Sequence, residues 1–290
     1  MKTVTETANE LKKRGKRVQI LYIVFVEVFV IALIVALFRK FIPAVAIVIA
    51  NLIFYYAYLL KERKACSDAI VDATVTYGVC GPLSDVRCLG SGSLSAEEFD
   101  SFKMLPIHVT NKSLLSENGF EGKRGSLLLK GWEASLHYPV PGAKGKDMYR
   151  FISGTLLTAQ RKNSAAGDWL ILKKDYLNYL AEEEFVSQNK YFPASCSIGD
   201  LSENYSVYGK EEGAAFPDEL ARIARKAVKQ AEKIAAVRFS ADAAQVWIGG
   251  SFYTLRTRLR FLPDAEWYTN NLLAERDAVW TMFREWGAVK

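Results

Sequence analysis

The side chains able to do chemistry are few and scattered. Two histidines, His108 and His137, stand apart, with no second histidine at helix or strand spacing. The cysteines Cys66, Cys80, Cys88 and Cys196 form no CxxC or CxxH pair, so the spacing of a zinc site is not encoded. Gly90-Ser-Gly-Ser lacks the Gly-Lys pair that completes a phosphate loop, and neither GxGxxG nor GxSxG occurs. The acidic runs Glu182–Glu184 and Glu211-Glu212 are neighbouring carboxylates of the kind that face solvent. They do not make an acid and a base held apart by their surroundings. No catalytic residue, metal or cofactor is therefore expected.

Two polar residues are conspicuous for where they sit. Glu27 lies inside the apolar run 18–38, and Asn51 inside the apolar run 41–60. Only Arg39 and Lys40 separate the runs. At 1.5 Å per residue each run spans roughly 30 Å as a helix, the hydrocarbon thickness of a bilayer. Both are apolar on every face, unlike the single stripe of a helix packed on a soluble core. They read as a transmembrane helical hairpin. Glu27 stands about 19 Å from the turn and Asn51 about 17 Å, so the two are level. A carboxylate at that depth is costly, and a side-chain hydrogen bond between Glu27 and Asn51 is expected, within the hairpin or across a dimer.

Charge orients the hairpin. Of the net +6, residues 1–64 carry 11 Lys+Arg against 4 Asp+Glu, and the rest carries 27 against 28. The basic excess thus belongs to the membrane segment, which makes nucleic acid an unlikely partner for the remainder. Lys2, Lys12, Lys13, Arg14, Lys16, Arg17, Lys61, Arg63 and Lys64 flank the terminal side, against Arg39 and Lys40 at the turn. The positive-inside rule then places both termini in the cytoplasm, with Tyr22, Tyr55, Tyr56 and Tyr58 near that interface. In such a reducing setting the cysteines are expected as thiols.

The remaining elements must be supplied by a soluble α+β part. The second span is expected to run on as a helix through residues 61–77 and to end at Gly78, Gly81 and Pro82. Residues 88–95 read as a loop. Ser95 and Glu98 form a capping box ahead of a short helix over 96–103. Strand patterns follow at 126–132, 134–138, 149–160 and 169–173, which suggests an antiparallel sheet. Residues 176–180 read as a helical turn and 205–208 as a strand. Pro217, Asp218 and Glu219 open a helix whose apolar face is Leu220, Ile223, Ala224, Ala227, Val228, Ala231 and Ile234. Its other face carries Arg222, Arg225, Lys226, Lys229 and Lys233. Further strands are expected at 236–240, 245–248 and 252–260, and a closing helix at 264–286. Arg256, Arg258 and Arg260 alternate and so share one strand face. Both basic sets are ordinary solvated faces or, more sharply, contacts for anions or lipid headgroups.

The resulting organisation is a basic cytoplasmic segment 1–17, a two-helix hairpin 18–60, a helical connector 61–104 and a cytosolic α+β domain 105–290. The stretches YRFISGTLLT at 149–158 and NYSVYGKEEGAAFPDELARIARKA followed by AVRFSADAAQVWIG at 204–249, together with the hairpin, carry a family likeness. The chain resembles the bacterial two-span membrane proteins of the family called domain of unknown function 3137. That resemblance implies a bacterial inner-membrane setting and a cytosolic α+β domain. The family has no assigned activity, so no catalytic residue is carried over. The expected function is a membrane-anchored interaction module for the lipid surface, an unknown protein or a second copy. The other reading is a membrane-bound enzyme or ligand sensor with a pocket between the sheet and the Pro217 helix.

Overall fold

The computed structural model describes residues 4–38, 41–73, 80–89, 91–105, 107, 110, 112–141, 147–161, 167–174, 176, 182–197, 199–250 and 274–289. They fall into two compact units, one containing residues 1–78 and one comprising Val79–Phe252 with Asn271–Lys290.

The first unit holds α1 (Val4–Leu37), α2 (Phe41–Phe54), a π-helical turn (Tyr55–Leu59) and α3 (Leu60–Ala73). The stretches Asn9–Leu37 and Phe41–Cys66 are long and apolar enough to cross a membrane. Most of their large apolar side chains, among them Ile23, Ile31, Ile42 and Ile53, are exposed. A soluble helix pair would bury that surface, so these two helices make the chain membrane-associated. Only a narrow seam joins them. Leu11, Gly15, Val18 and Ala32 are buried on α1, and Ala44, Asn51, Leu59 and Cys66 on the returning helix, mostly at coiled-coil spacing. The step from Tyr55 to Leu59 would drift off that seam. The π turn absorbs the extra residue and returns Leu59 and Cys66 to α1.

The second unit is α+β, as expected. Its nine-stranded sheet has the order β1-β2-β3-β4-β9-β8-β5-β7-β6. The strands are β1 (Ser84–Leu89), β2 (Leu114–Arg124), β3 (Leu127–Pro141), β4 (Asp147–Gln160), β5 (Trp169–Lys173), β6 (Phe192–Pro193), β7 (Tyr205–Gly209), β8 (Ile234–Phe239) and β9 (Ala243–Gly249). Every pairing between these strands is antiparallel. Among the described residues, five helices accompany them: α4 (Ala96–Ser101), α5 (Glu182–Gln188), α6 (Gly199–Asn204), α7 (Asp218–Gln230) and α8 (Ala274–Ala288).

Register sorts the core into two layers. Trp132, Ala134 and Leu136 of β3, Ile152 and Leu156 of β4, Leu170 and Leu172 of β5, Ala236 of β8 and Trp247 of β9 pack under residues 94–105, Ile107, Val186 and Tyr191. The alternate positions Leu129, Leu157, Ile171, Val237 and Val246 are buried on the opposite face. There α8 sets Trp280 against Phe120 of β2, ring centroids 6.3 Å apart, and packs along α7. With both faces covered, β5, β8 and β9 read as continuous apolar runs rather than alternating ones.

Several elements differ from their sequence reading. Residues 126–132 and 134–138 belong to one strand, β3, because Glu133 stays in the ladder opposite Glu117 and Thr155. β2 has no alternating signature. Its Asn118-Gly119 pair, a hairpin signal in isolation, forms a bulge with Asn118 at φ 50°. The actual β2–β3 turn is Gly125-Ser126, where Gly125 takes φ 61°. β1 and α4 lie in the sheet unit, so that unit begins near residue 79 and the connector ends there. α7 starts at Asp218, with Pro217 just before it, and stops at Gln230. Ile234 continues the helical spacing but opens β8. The turn expected at 176–180, the strand at 252–260 and the start of the helix at 264–286 fall largely outside the described residues. Ser95 caps α4 as its spacing predicts, its Oγ accepting from the Glu98 amide at 3.1 Å.

Candidate functional site

The hairpin gathers its polar groups at one end. Lys12, Lys13, Arg14, Lys16 and Arg17 on α1 lie level with Lys61, Arg63 and Lys64 on α3. The anchor is Arg17 Nη2, which donates to Tyr58 Oη at 2.8 Å. Below it Phe25 meets Tyr55, ring centroids 5.1 Å apart. Deeper still, the hairpin does not form the bond expected between Glu27 and Asn51 within itself. Asn51 is 4% exposed, and its Nδ2 donates to the Phe25 carbonyl oxygen at 2.9 Å. Glu27 is exposed on the flank of α1. The depth argument set the level of the two residues but not their azimuth. Glu27 is two positions from Phe25, about 200° round the helix.

The basic face of α7 is largely occupied by carboxylates of its own domain. Arg225 Nε and Lys229 Nζ hold Asp200 of α6, at 2.7 and 2.6 Å. Hydrogen bonds from Arg225 and then Lys229 push the Asp200 carboxyl down to about 2. Lys226 pairs with Glu285 of α8 at 2.6 Å. These cations join α6, α7 and α8. Arg222 and Lys233 are exposed. Arg256, Arg258 and Arg260 lie outside the described residues.

A half-buried polar cluster escaped the sequence reading. Arg238 of β8 grips Asp168 with two parallel bonds, Nε to Oδ1 and Nη2 to Oδ2, both 2.8 Å. Its Nη1 donates to the Phe102 carbonyl at 2.8 Å. Tyr191 Oη donates to Asp168 Oδ1 at 3.1 Å, and Lys210 Nζ sits 3.6 Å from the centre of the Tyr191 ring. Burial raises the Tyr191 phenol and lowers the Lys210 ammonium. Burial also works against the Arg238 cation, but Asp168 and Tyr191 outweigh it and raise its pKa. The cluster ties β5, β8, β7 and the end of α4 together. Its groups satisfy one another, which suits a structural clamp better than proton transfer. The signal in the sequence was one arginine inside the apolar run IAAVRF. A charge there requires a buried partner, though nothing local names Asp168.

Arg161, at the end of β4, is a second clamp. Its Nη1 donates to the carbonyl oxygens of Trp286, Gly287 and Val289, at 3.1, 2.8 and 2.7 Å. Its guanidinium also lies 4.7 Å from the centre of the Trp286 ring. It thereby caps the orphan carbonyls of α8 and holds the chain end on the sheet. Among the other reactive residues, Cys66 and Cys80 are buried and Cys88 is exposed. Burial pushes the Cys80 thiol up to about 12. His137 packs edge-on against Phe151, centroids 5.0 Å apart. Among the described residues no three His, Cys, Asp or Glu side chains cluster as metal ligands do.

No protein-family model matches the chain, and no curated protein matches it. Among solved structures, the crystal structure of the mycobacterial trehalose monomycolate transport factor A, TtfA, aligns with a TM-score of 0.26 at 13% identity, covering 59% of this chain and 74% of that chain. An overlap so slight does not define a shared fold.

Proposed function

We propose that the protein is a bacterial inner-membrane protein, anchored by a two-span hairpin with both termini in the cytoplasm, whose sheet domain is an interaction module. The observation that carries this reading is the hairpin itself. Its apolar flanks are exposed along both spans, and its eight level cations sit at the end where the chain leaves the bilayer. Support for a module comes from the domain's surface. β1 is an open edge with Val86 42% exposed. Leu115 of β2 and Phe151 of β4, on the same sheet face by register, are 55% and 58% exposed. Meanwhile Arg225, Lys226, Lys229 and Arg238 are engaged within the fold. Those features favour a protein partner over an anionic lipid sheet on the α7 face. Tethering would then raise the domain's effective concentration near membrane clients. The test is alkaline carbonate extraction of membranes combined with protease treatment of intact and opened cells. The full chain stays in the membrane pellet, and a C-terminal tag is cleaved only in opened cells. Recovery in the aqueous fraction, or cleavage of the tag in intact cells, would overturn the reading.

A further inference from the structure

The cations at the open end of the hairpin differ from those of the sheet domain. On α7, Arg225, Lys226 and Lys229 are paired with Asp200 and Glu285. Around the hairpin, Lys12, Lys13, Lys16, Lys61, Arg63 and Lys64 are all exposed and make no hydrogen bond or ion pair among the described residues. Residues 12–17 and 58–64 together hold eight Lys and Arg against one carboxylate, Glu62. Their level along the helices is fixed. Arg17 lies 20 residues before Leu37, the last residue of α1. That is roughly 30 Å at 1.5 Å per residue, the thickness of the hydrocarbon layer. The bond from Arg17 to Tyr58 sets the same level on the returning helix. Tyr22 and Tyr56 are exposed just inside that level, where an aromatic belt meets the interface. Beyond it, all eight cations fall within about 9 Å along the helix axes, comparable to the depth of one headgroup layer.

We propose that this collar of unpaired cations is a binding site for anionic phospholipid headgroups, which it gathers around the hairpin in preference to zwitterionic ones. This rests on the membrane-spanning reading above. Charge complementarity and depth together name the occupant. A cluster of this size beside a span attracts anionic lipid, each Lys or Arg adding to the attraction. A zwitterionic headgroup carries its own ammonium beside its phosphate, so a lysine gains little by approaching it. A phosphatidylglycerol headgroup leaves its phosphate uncancelled. The carboxylates that neutralise α7 have no counterpart here, because Glu62 is the only acid at this level. The Arg17–Tyr58 bond joins the two helices, so cations of α1 and α3 can meet the same ring of lipid.

The test uses the full chain reconstituted in vesicles of phosphatidylcholine, with a trace of spin-labelled phosphatidylcholine or spin-labelled phosphatidylglycerol. Electron spin resonance resolves the label held against protein from the label in bulk lipid. Both leaflets have the same composition, so the direction of insertion does not affect the readout. Phosphatidylglycerol takes the protein-contact positions about fivefold in preference to phosphatidylcholine, the effect of one charge at the surface. The preference collapses as salt is raised from about 0.1 M to about 1 M, where the screening length falls to about 3 Å. Replacing Lys12, Lys13, Lys61 and Lys64 by Gln lowers it below about twofold, while phosphatidylcholine is still held, which shows the hairpin intact. Arg222→Gln with Lys233→Gln, on the α7 side of the sheet domain, leaves the preference unchanged. Equal holding of the two lipids by the wild-type chain overturns the proposal. So does a preference that survives the four collar substitutions or high salt, or one that is lost with Arg222 and Lys233. Absence of held lipid of either kind is a different result, since it means that the hairpin is not in the bilayer and removes the membrane reading as well.

Discussion

Gly154 offers a sharp test of the packing argument. A Cβ at this position in β4 would lie 2.3 Å from Cζ2 and 2.5 Å from Cε2 of Trp247, and 2.7 Å from the Ile248 carbonyl oxygen. The backbone oxygen is held by the β4–β9 ladder. The indole cannot retreat cheaply either. Trp247 is fully buried, meets Phe99 edge-on at 5.9 Å between centroids, and donates from Nε1 to Tyr176 Oη at 3.1 Å. Gly154→Ala must therefore push the ring off its rotamer and strain that hydrogen bond. Overpacking of this kind costs about 2–3 kcal/mol. For a domain of this size the melting transition then falls by roughly 4–12 °C. The assay is thermal unfolding of the detergent-solubilised full chain, followed by near-ultraviolet circular dichroism, which also reports the Trp247 environment. Gly199→Ala is the matched control. A Cβ there meets nothing within 4 Å, so its effect stays within about 0.5 kcal/mol. A Gly154→Ala chain that melts within about 1 °C of wild type would refute the reasoning. It would mean that Trp247 has room to move.

Two further outcomes follow from the polar clusters. Asp168→Asn leaves the half-buried Arg238 without its counter-charge and takes from Tyr191 its charged acceptor. It should cost about 3 kcal/mol by urea unfolding, near the low end for a broken buried pair because both side chains keep some exposure. Adding Arg238→Met should recover part of that loss; a double variant as unstable as the sum of the two singles would contradict the coupling. For Asp200, the folded pKa is depressed from 3.8 to about 2, so its contribution to stability is present above its unfolded value and disappears as the pH falls through about 2. Carboxyl NMR of the solubilised chain should show that low midpoint, and Arg225→Gln with Lys229→Gln should raise it toward 3.8. An unchanged midpoint would mean that the two cations do not hold the carboxylate.

What the sequence by itself determined are the features whose physics is local. Run length and hydropathy mark the two helices long and apolar enough to cross a membrane, because crossing hydrocarbon requires a fixed number of apolar residues in a self-satisfied helix. Ser95 and Glu98 mark the start of α4, because an N-cap bonds only to amides within one turn. The bounds of β5 and most of β4 follow from short apolar and β-branched runs set off by turn residues, and the apolar face of α7 from side-chain period. Tertiary structure decided whatever depends on partners far along the chain. Nothing in β9 announces that it lies between β4 and β8. β2 became a strand only because β1 and β3 pair with it, and they turned a hairpin-like Asn118-Gly119 into a bulge. Within the hairpin Asn51 found the Phe25 carbonyl rather than Glu27, since the rotation of one helix about its axis is set by the seam it packs into. Arg238 found Asp168 for the same reason: a buried charge demands a counter-charge, but only the closed sheet selects which residue supplies it.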